Sequence, residues 1–131
     1  MAIKILDVGQ CGVDGPRMAS LWRGKLHATV DRSASGEDAV RRLQQGQYDL
    51  VLVNRVLATD GSSGLDVIKS LRETNTSVPV MLVSDLSDAQ DEAVALGAVR
   101  GFGKADLDDQ ATLDLVASVA GGASQGQDKG H

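Results

Sequence analysis

The sequence predicts one α/β domain, a parallel sheet wound on both faces by helices. Two near-continuous apolar runs, Tyr48–Val53 and Val78–Ser84, have the pattern of strands buried on both faces. Strand-like and helix-like segments alternate five times along the chain, and short right-handed crossovers allow little besides a doubly wound parallel sheet. A length of 131 residues with 42% hydrophobic content is enough for one compact core and too little for two.

Ile3–Val8 reads as the first strand, followed by the turn-rich stretch Gly9–Pro16. Pro16 suits the first turn of a helix on which Met18, Leu21 and Trp22 recur at core-facing spacing, with Asp14 or Gly15 as its cap and Gly24 near its end. His27–Arg32 is a weak second strand. Ser35-Gly36-Glu37-Asp38 resembles a capping box ahead of Ala39, Val40 and Leu43, and Gly46 stops that second helix. Tyr48–Val53 belongs at the centre of the sheet. Past Asn54 a loop leads to Gly64, and Leu65, Ile68 and Leu71 mark a third helix that stops around Asn75.

Pro79 is acceptable at the first positions of the fourth strand. Ser87 and Gln90 form another capping-box spacing before Ala93, Val94 and Leu96, with Gly97 closing the helix. Val99–Phe102 is a short fifth strand. Asp106, Asp108 and Asp109 place negative charge at the start of a last helix, whose apolar positions are Leu113, Val116, Ala117 and Val119 and whose end is Gly121-Gly122. The domain is expected over residues 1–120, and the polar, Gly-rich residues 121–131 are expected to be a disordered tail.

Composition removes several functions. A net charge of −5 argues against a nucleic-acid binder, which needs clustered Lys and Arg on phosphate, and aromatics at 2% leave no base-stacking platform. No apolar run approaches the length that spans a bilayer, so no membrane partner is expected. The single Cys11 forms no intrachain disulfide, and the opening residues resemble no export signal, which points to the cytoplasm. His27, His131 and Cys11 do not have zinc spacing. Neither a cofactor nor an enzymatic activity is expected.

In parallel α/β sheets chemistry gathers at the carboxyl ends of the strands. Here those ends carry Gly9 and Gln10, Asn54, Ser84 and Lys104. In their setting these positions resemble the phosphorylation pocket of bacterial response-regulator receiver domains, over about residues 3–120. The resemblance implies a (βα)5 flavodoxin-like sheet of order 2-1-3-4-5. In that family the first strand ends in an acidic pair that holds magnesium, the third in the phosphoacceptor Asp, the fourth in Thr or Ser and the fifth in Lys. Ser84 and Lys104 keep the last two. Tyr48-Asp49-Leu50-Val51-Leu52-Val53-Asn54 matches the third strand but ends in Asn, and Gly9 and Gln10 stand in place of the acidic pair. The loop after Asn54 lacks the family's Met-Pro turn and reaches Gly64-Leu65 about two residues late, and Ala105 replaces a proline after the lysine.

The resemblance therefore implies a degenerate pseudo-receiver. An amide at position 54 is not a nucleophile, and Gly9, Gln10 and Asn54 offer magnesium only neutral oxygens. Ser84 is expected to bond a loop amide, and Lys104 to bond Asn54 or a loop carbonyl. Asp14 and Asp60 lie in the altered loops, where they serve their turns or rebuild an acidic cluster that would keep the receiver active. A small-ligand sensor at the mouth of the sheet is a further alternative. Cys11 near a helix start is a redox candidate beside its plainer role in the loop. Residues 85–114 hold eight acids against Arg100 and Lys104. The resemblance makes this stretch the output face, through Asp88, Asp91, Glu92, Arg100, Asp108 and Asp109. An acidic output face predicts a basic protein partner, with a homodimer as an alternative.

Overall fold

A computed structural model describes residues 3–74 and 77–128. Its five strands are β1 (Lys4–Val8), β2 (Thr29–Ser33), β3 (Leu50–Asn54), β4 (Val80–Val83) and β5 (Val99–Phe102). The helices are α1 (Asp14–Leu26), α2 (Gly36–Gln45), α3 (Gly64–Thr74), α4 (Ser87–Ala95) and α5 (Gln110–Asp128), with a 3-10 turn at Lys104–Asp106. All strand pairs are parallel in the order β2-β1-β3-β4-β5, the predicted doubly wound sheet. α3 is described as far as Thr74, and Asn75, where the third helix was expected to stop, lies outside the described residues.

Strand alternation divides the core into two layers. Leu6, Val8, Val51, Val53, Val80 and Leu82 pack under α2, α3 and α4 with Ala39, Leu43, Ile68, Leu71 and Ala93. Ile5, Leu50, Leu52, Met81 and Val83 pack on the other side with Met18 and Trp22 of α1 and with Leu113 and Val116 of α5. Trp22 meets Phe102 edge-on, with centroids 5.8 Å apart and planes at 74°. A carboxyl group lies within β1, where Asp7 shares the α1 side and is 1% exposed.

Several boundaries differ from the sequence reading. The N-cap of α1 is Val13, and the helix passes Gly24 to end at His27, which takes the left-handed conformation. A Gly in a helix interior costs only about 1 kcal/mol, which the burial of Met18 and Trp22 outweighs. The same tolerance lets the backbone of α5 run past Gly121-Gly122 to Asp128. Of the expected tail, residues 129–131 and the side chains beyond Gly121 lie outside the described residues. The last helix also starts later than its acids suggested, because Lys104–Asp106 forms the tight turn first. Ser35 caps α2 as expected, its Oγ accepting from the Asp38 N–H at 3.1 Å.

Ser87 and Gln90 do not form a capping box. Leu86 occupies the N-cap, and Gln90 is 4% exposed and turned into the sheet. Its Nε2 donates to the Leu82 and Ser84 carbonyls at 2.9 and 3.0 Å, and its Oε1 accepts from the Gly101 N–H at 2.9 Å. The β4–β5 register slips between Met81 and Val83, so backbone groups there lose their ladder partners, and this side chain replaces them. Among the described residues no helix is long and apolar enough to cross a membrane.

Gln90→Ala removes three bonds and leaves buried backbone groups unpaired, so we expect a loss of roughly 2–4 kcal/mol. The urea midpoint of the variant measures it, and a change within a few tenths of a kcal/mol would show that water substitutes fully for the amide.

Candidate functional site

The carboxyl ends of β3, β4 and β5 bring Asn54, Ser84 and Lys104 to one depression of about 380 Å³, also lined by Arg55, Val56, Val83, Asp85 and Leu86. Ser84 Oγ accepts from the Leu86 N–H at 3.1 Å, the loop-amide bond expected of it. Asp85 Oδ1 accepts from the Ala105 N–H at 3.2 Å, which ties the loop after β4 to the turn after β5.

Asn54 uses both hydrogens of its amide on backbone. Nδ2 donates to the Gly9 carbonyl at 3.1 Å and to the Val56 carbonyl at 2.8 Å. The loop after β3 folds back against β1: the Ala58 N–H also donates to Gly9 O, at 2.9 Å, and Leu57 is 1% exposed beneath it. Gly9 sits at φ +79, and a Cβ there would lie 2.5 Å from Leu57 Cγ. Gly64 opens α3 so close that a Cβ would stand 2.0 Å from the Asn54 carbonyl oxygen. Gln10 is 8% exposed, and neither polar atom of its side chain has a hydrogen-bond partner.

Lys104 corrects one expectation. Its Nζ bonds neither Asn54 nor a loop carbonyl but forms an ion pair with Asp14 Oδ2 at 2.8 Å. Asp14 stands in the first turn of α1, whose N-terminus faces the end of β5, and an ammonium near a neutral amide gains more from a carboxylate. Lys104 holds the Asp14 carboxyl below its ordinary range. Arg17 and Asp108 make a second α1 tie at 2.9 Å. Cys11 Sγ accepts from the Asp14 N–H at 3.3 Å, a role within the turn. Asp60 does not join the pocket: its Oδ1 accepts from both the N–H and the hydroxyl of Ser62, which lower its pKa and keep it in its own turn.

The partner-face residues divide by use. Asp91 pairs with Arg100 at 2.6 Å, and Arg100 also reaches Ser87 at 3.3 Å. Asp108 is taken by Arg17. Asp88 and Glu92, one turn apart on exposed α4, and Asp109 before α5 are exposed. Asp88 and Glu92 also line a groove of about 510 Å³ with Arg55, Val56, Leu65 and Leu86, where Val56 and Leu86 are large exposed apolar side chains.

Sequence reasoning missed Asp7, Asp85, Gln90 and Arg32. Asp7 had a readable signal, a lone carboxylate inside Ile5-Leu6-Asp7-Val8. Neither of its oxygens makes a hydrogen bond of good geometry, and the Gln10 amide is the neighbour that most lowers its pKa. Burial pushes its pKa up to about 7, against the opposing pull of Gln10, Arg32 and Lys104. Among the described residues no group of three or more His, Cys, Asp or Glu converges as metal ligands.

Residues 14–109 match the family described as response regulator receiver domain. An uncharacterized transcriptional regulatory protein, YcbL of Bacillus subtilis, is 39% identical over 62 residues, 47% of this chain and 26% of that protein. The two-component response regulator PhoP of Pseudomonas aeruginosa is 31% identical over 75 residues, 57% of this chain and 32% of its own length. This chain thus spans about a quarter to a third of those relatives. Among solved structures, a putative response regulator from Chloroflexus aurantiacus superposes with a TM-score of 0.80 at 19% identity, covering 92% of this chain and 98% of that one. A Burkholderia pseudomallei response regulator with a phosphorylated aspartic acid, calcium and citrate gives 0.71 at 18%, covering 97% and 72%. These two likenesses concern the fold.

A folded-state pKa near 7 for Asp7 means that the native chain keeps a proton which the unfolded chain releases near 3.8. Stability is therefore expected to fall as pH rises from about 4 to about 7, by an amount on the order of 4 kcal/mol, and then to level off. Asp7→Asn should lack this part of the slope and be the more stable protein at pH about 8. Parallel urea titrations of the two proteins at several pH values read it directly, and identical slopes would refute a neutral Asp7.

Proposed function

The chain belongs to the response regulator receiver family, and from that premise we propose that it signals by binding a protein partner without being phosphorylated. One observation carries the proposal: at the end of β3 stands Asn54, whose amide donates both hydrogens to the carbonyls of Gly9 and Val56. An amide offers no nucleophilic oxygen for a phosphoryl group. The Burkholderia regulator holds a phosphorylated aspartate and calcium; this chain has no carboxylate at its strand end to take either.

The residues present do not fit magnesium, the hard cation that the family implies. It needs carboxylate oxygens, whereas Gly9 carries no side chain, its carbonyl already accepts from Asn54 and Ala58, and the Gln10 amide is buried and neutral. An acid at position 9 would meet Leu57 and a positive φ. Lys104 is committed to Asp14. Asp14 and Asp60, the carboxylates of the altered loops, are engaged by Lys104 and Ser62, which argues against a rebuilt acceptor site.

Acidic exposed residues on α4 support a basic partner. Asp88 and Glu92 are like charges at i, i+4, an arrangement that weakens a helix slightly in isolation and gains from an opposite charge. The apolar side chains of Val56 and Leu86 beside them give such a partner something to bury.

Incubation with acetyl phosphate and magnesium, followed by intact-mass spectrometry, is expected to leave both the chain and Asn54→Asp without the adduct of about 80 Da that marks phosphoryl transfer. In Asn54→Asp a carboxylate faces two carbonyl oxygens with no metal beside it, so the variant should also lose roughly 1–3 kcal/mol of stability. A stoichiometric adduct on the unmodified chain sinks the proposal.

Lysine at Asp88 or Glu92 is expected to slow association with a partner recovered from native lysate at least several-fold, with strong salt dependence, while lysine at Glu37 leaves it unchanged. The reverse pattern, read by stopped-flow association rates, would move the partner to another face.

A further inference from the structure

Two exposed apolar side chains, Val56 at 41% and Leu86 at 53%, line the groove of about 510 Å³, one from the loop after β3 and one from the start of α4. Polar contacts fix the backbone beneath each. The Asn54 amide donates to the Val56 carbonyl at 2.8 Å, and Val56 pairs with Ser63 in an isolated antiparallel bridge. The Leu57 N–H donates to the Ser62 carbonyl at 2.9 Å and the Gly64 N–H to the Arg55 carbonyl at 2.7 Å, which closes that loop on itself. On the other wall, Ser84 Oγ accepts from the Leu86 N–H at 3.1 Å, and the Leu86 carbonyl accepts from the Gln90 N–H at 3.1 Å. Asn54 and Ser84, side chains of the strand-end pocket, thus each fasten one wall of the neighbouring groove. Half-buried Leu65 and buried Ala89 lie between the walls. A groove already held open by hydrogen bonds loses little conformational freedom when it is filled.

Charge divides the groove along its length. Arg55, with Val56 and Leu86, also lines the strand-end depression, whereas Asp88 and Glu92 line the groove alone. A cation therefore marks the end at the mouth of the sheet, and two acids a turn apart mark the end along α4. Asp91, the acid between them in sequence, is taken by Arg100, but Arg55, Asp88 and Glu92 form no ion pair among the described residues. We propose that the groove takes an amphipathic helix of a partner protein, an inference that rests on the reading of this chain as a protein-binding module. Apolar side chains of that helix seat between Val56, Leu65 and Leu86. Two of its basic residues, at i and i+4, face Asp88 and Glu92, and an acid in its first turn faces Arg55. Acid first and bases later also suits the partner helix's own dipole. A second copy of this chain does not match: among the described helices only α4 exposes a large apolar side chain, Val94, and α4 carries acids and no base.

The test is an amide NMR titration of the isotope-labelled full chain with a synthetic helical peptide of about 18 residues. The peptide carries Glu in its first turn, a leucine stripe, and two lysines at i and i+4 in its second half; a control peptide has Glu and Lys exchanged. The expected result is saturable shifts at Val56, Ser63, Leu65, Leu86 and Ala89, with the control bound roughly fivefold more weakly. Changing Asp88→Lys and Glu92→Lys together, both exposed, should reverse that preference, and Leu86→Ser should abolish saturation. Ser84→Ala should weaken both peptides alike without altering the preference, and Ser84→Thr should restore binding, as a positioning hydroxyl requires. The proposal is overturned by shifts centred on other amides, by no saturable binding, or by equal affinity for the two peptides. Shifts at the same amides on concentrating the chain alone would also overturn it, giving the groove to a second copy. No phosphoryl donor is present, so these failures leave the phosphorylation-independent reading standing, whereas an adduct from acetyl phosphate removes that reading and not the groove.

Discussion

The mouth of this sheet is organised by the two hydrogen bonds that Asn54 donates to the carbonyls of Gly9 and Val56. They require an amide, since a carboxylate has no hydrogen to give, and they draw the loop after β3 onto the loop after β1. Leu57 then drops into the core beneath Gly9, and the Ala58 N–H closes on the same carbonyl. With that carbonyl occupied and no side chain at position 9, the strand end is a packed corner. The amide at the end of β3 thus has consequences in two loops and at the end of β1.

With no negative charge at Asn54, the lysine at the end of β5 is free to seek one elsewhere. Lys104 finds it 90 residues away in the first turn of α1, and Arg17–Asp108 runs beside it. Together they fasten the first helix to the segment that leads into the last, along the side of the sheet that holds Trp22, Phe102 and the buried Asp7. The acids between Asp88 and Asp109 are unequal for the same local reason: Asp91 and Asp108 have found arginines within the domain, whereas Asp88, Glu92 and Asp109 stand toward solvent.

Much of the fold is legible because local chemistry and burial agree. The central strands are continuous apolar runs, and Ser35 before Glu37 and Asp38 announces α2 by side-chain geometry alone. Legibility fails where the deciding partner is distant in sequence. Ser87 and Gln90 have the spacing of a cap, yet the register slip between β4 and β5 creates a demand for Gln90 that no local pattern reveals. Likewise Asn54, Ser84 and Lys104 could be placed at strand ends by counting, but the choice of Asp14 over Asn54 as the lysine's partner depends on the approach of α1. Asp7 is the opposite case: its oddity is plain in the sequence, and only burial turns an odd letter into a chemical group of unusual acidity.

Trp22, the one tryptophan of the chain, is fully buried against the edge of Phe102 and has an indole N–H with no partner. Its emission therefore has a single structural origin, the seam where α1 meets β5, since the one tyrosine and the one phenylalanine are far weaker emitters. A dry indole emits toward the blue, and any water or dipole admitted between that helix and that strand shifts the light to longer wavelength. The molecule carries its own optical gauge, needing no label, at the joint that the ion pairs of α1 hold shut.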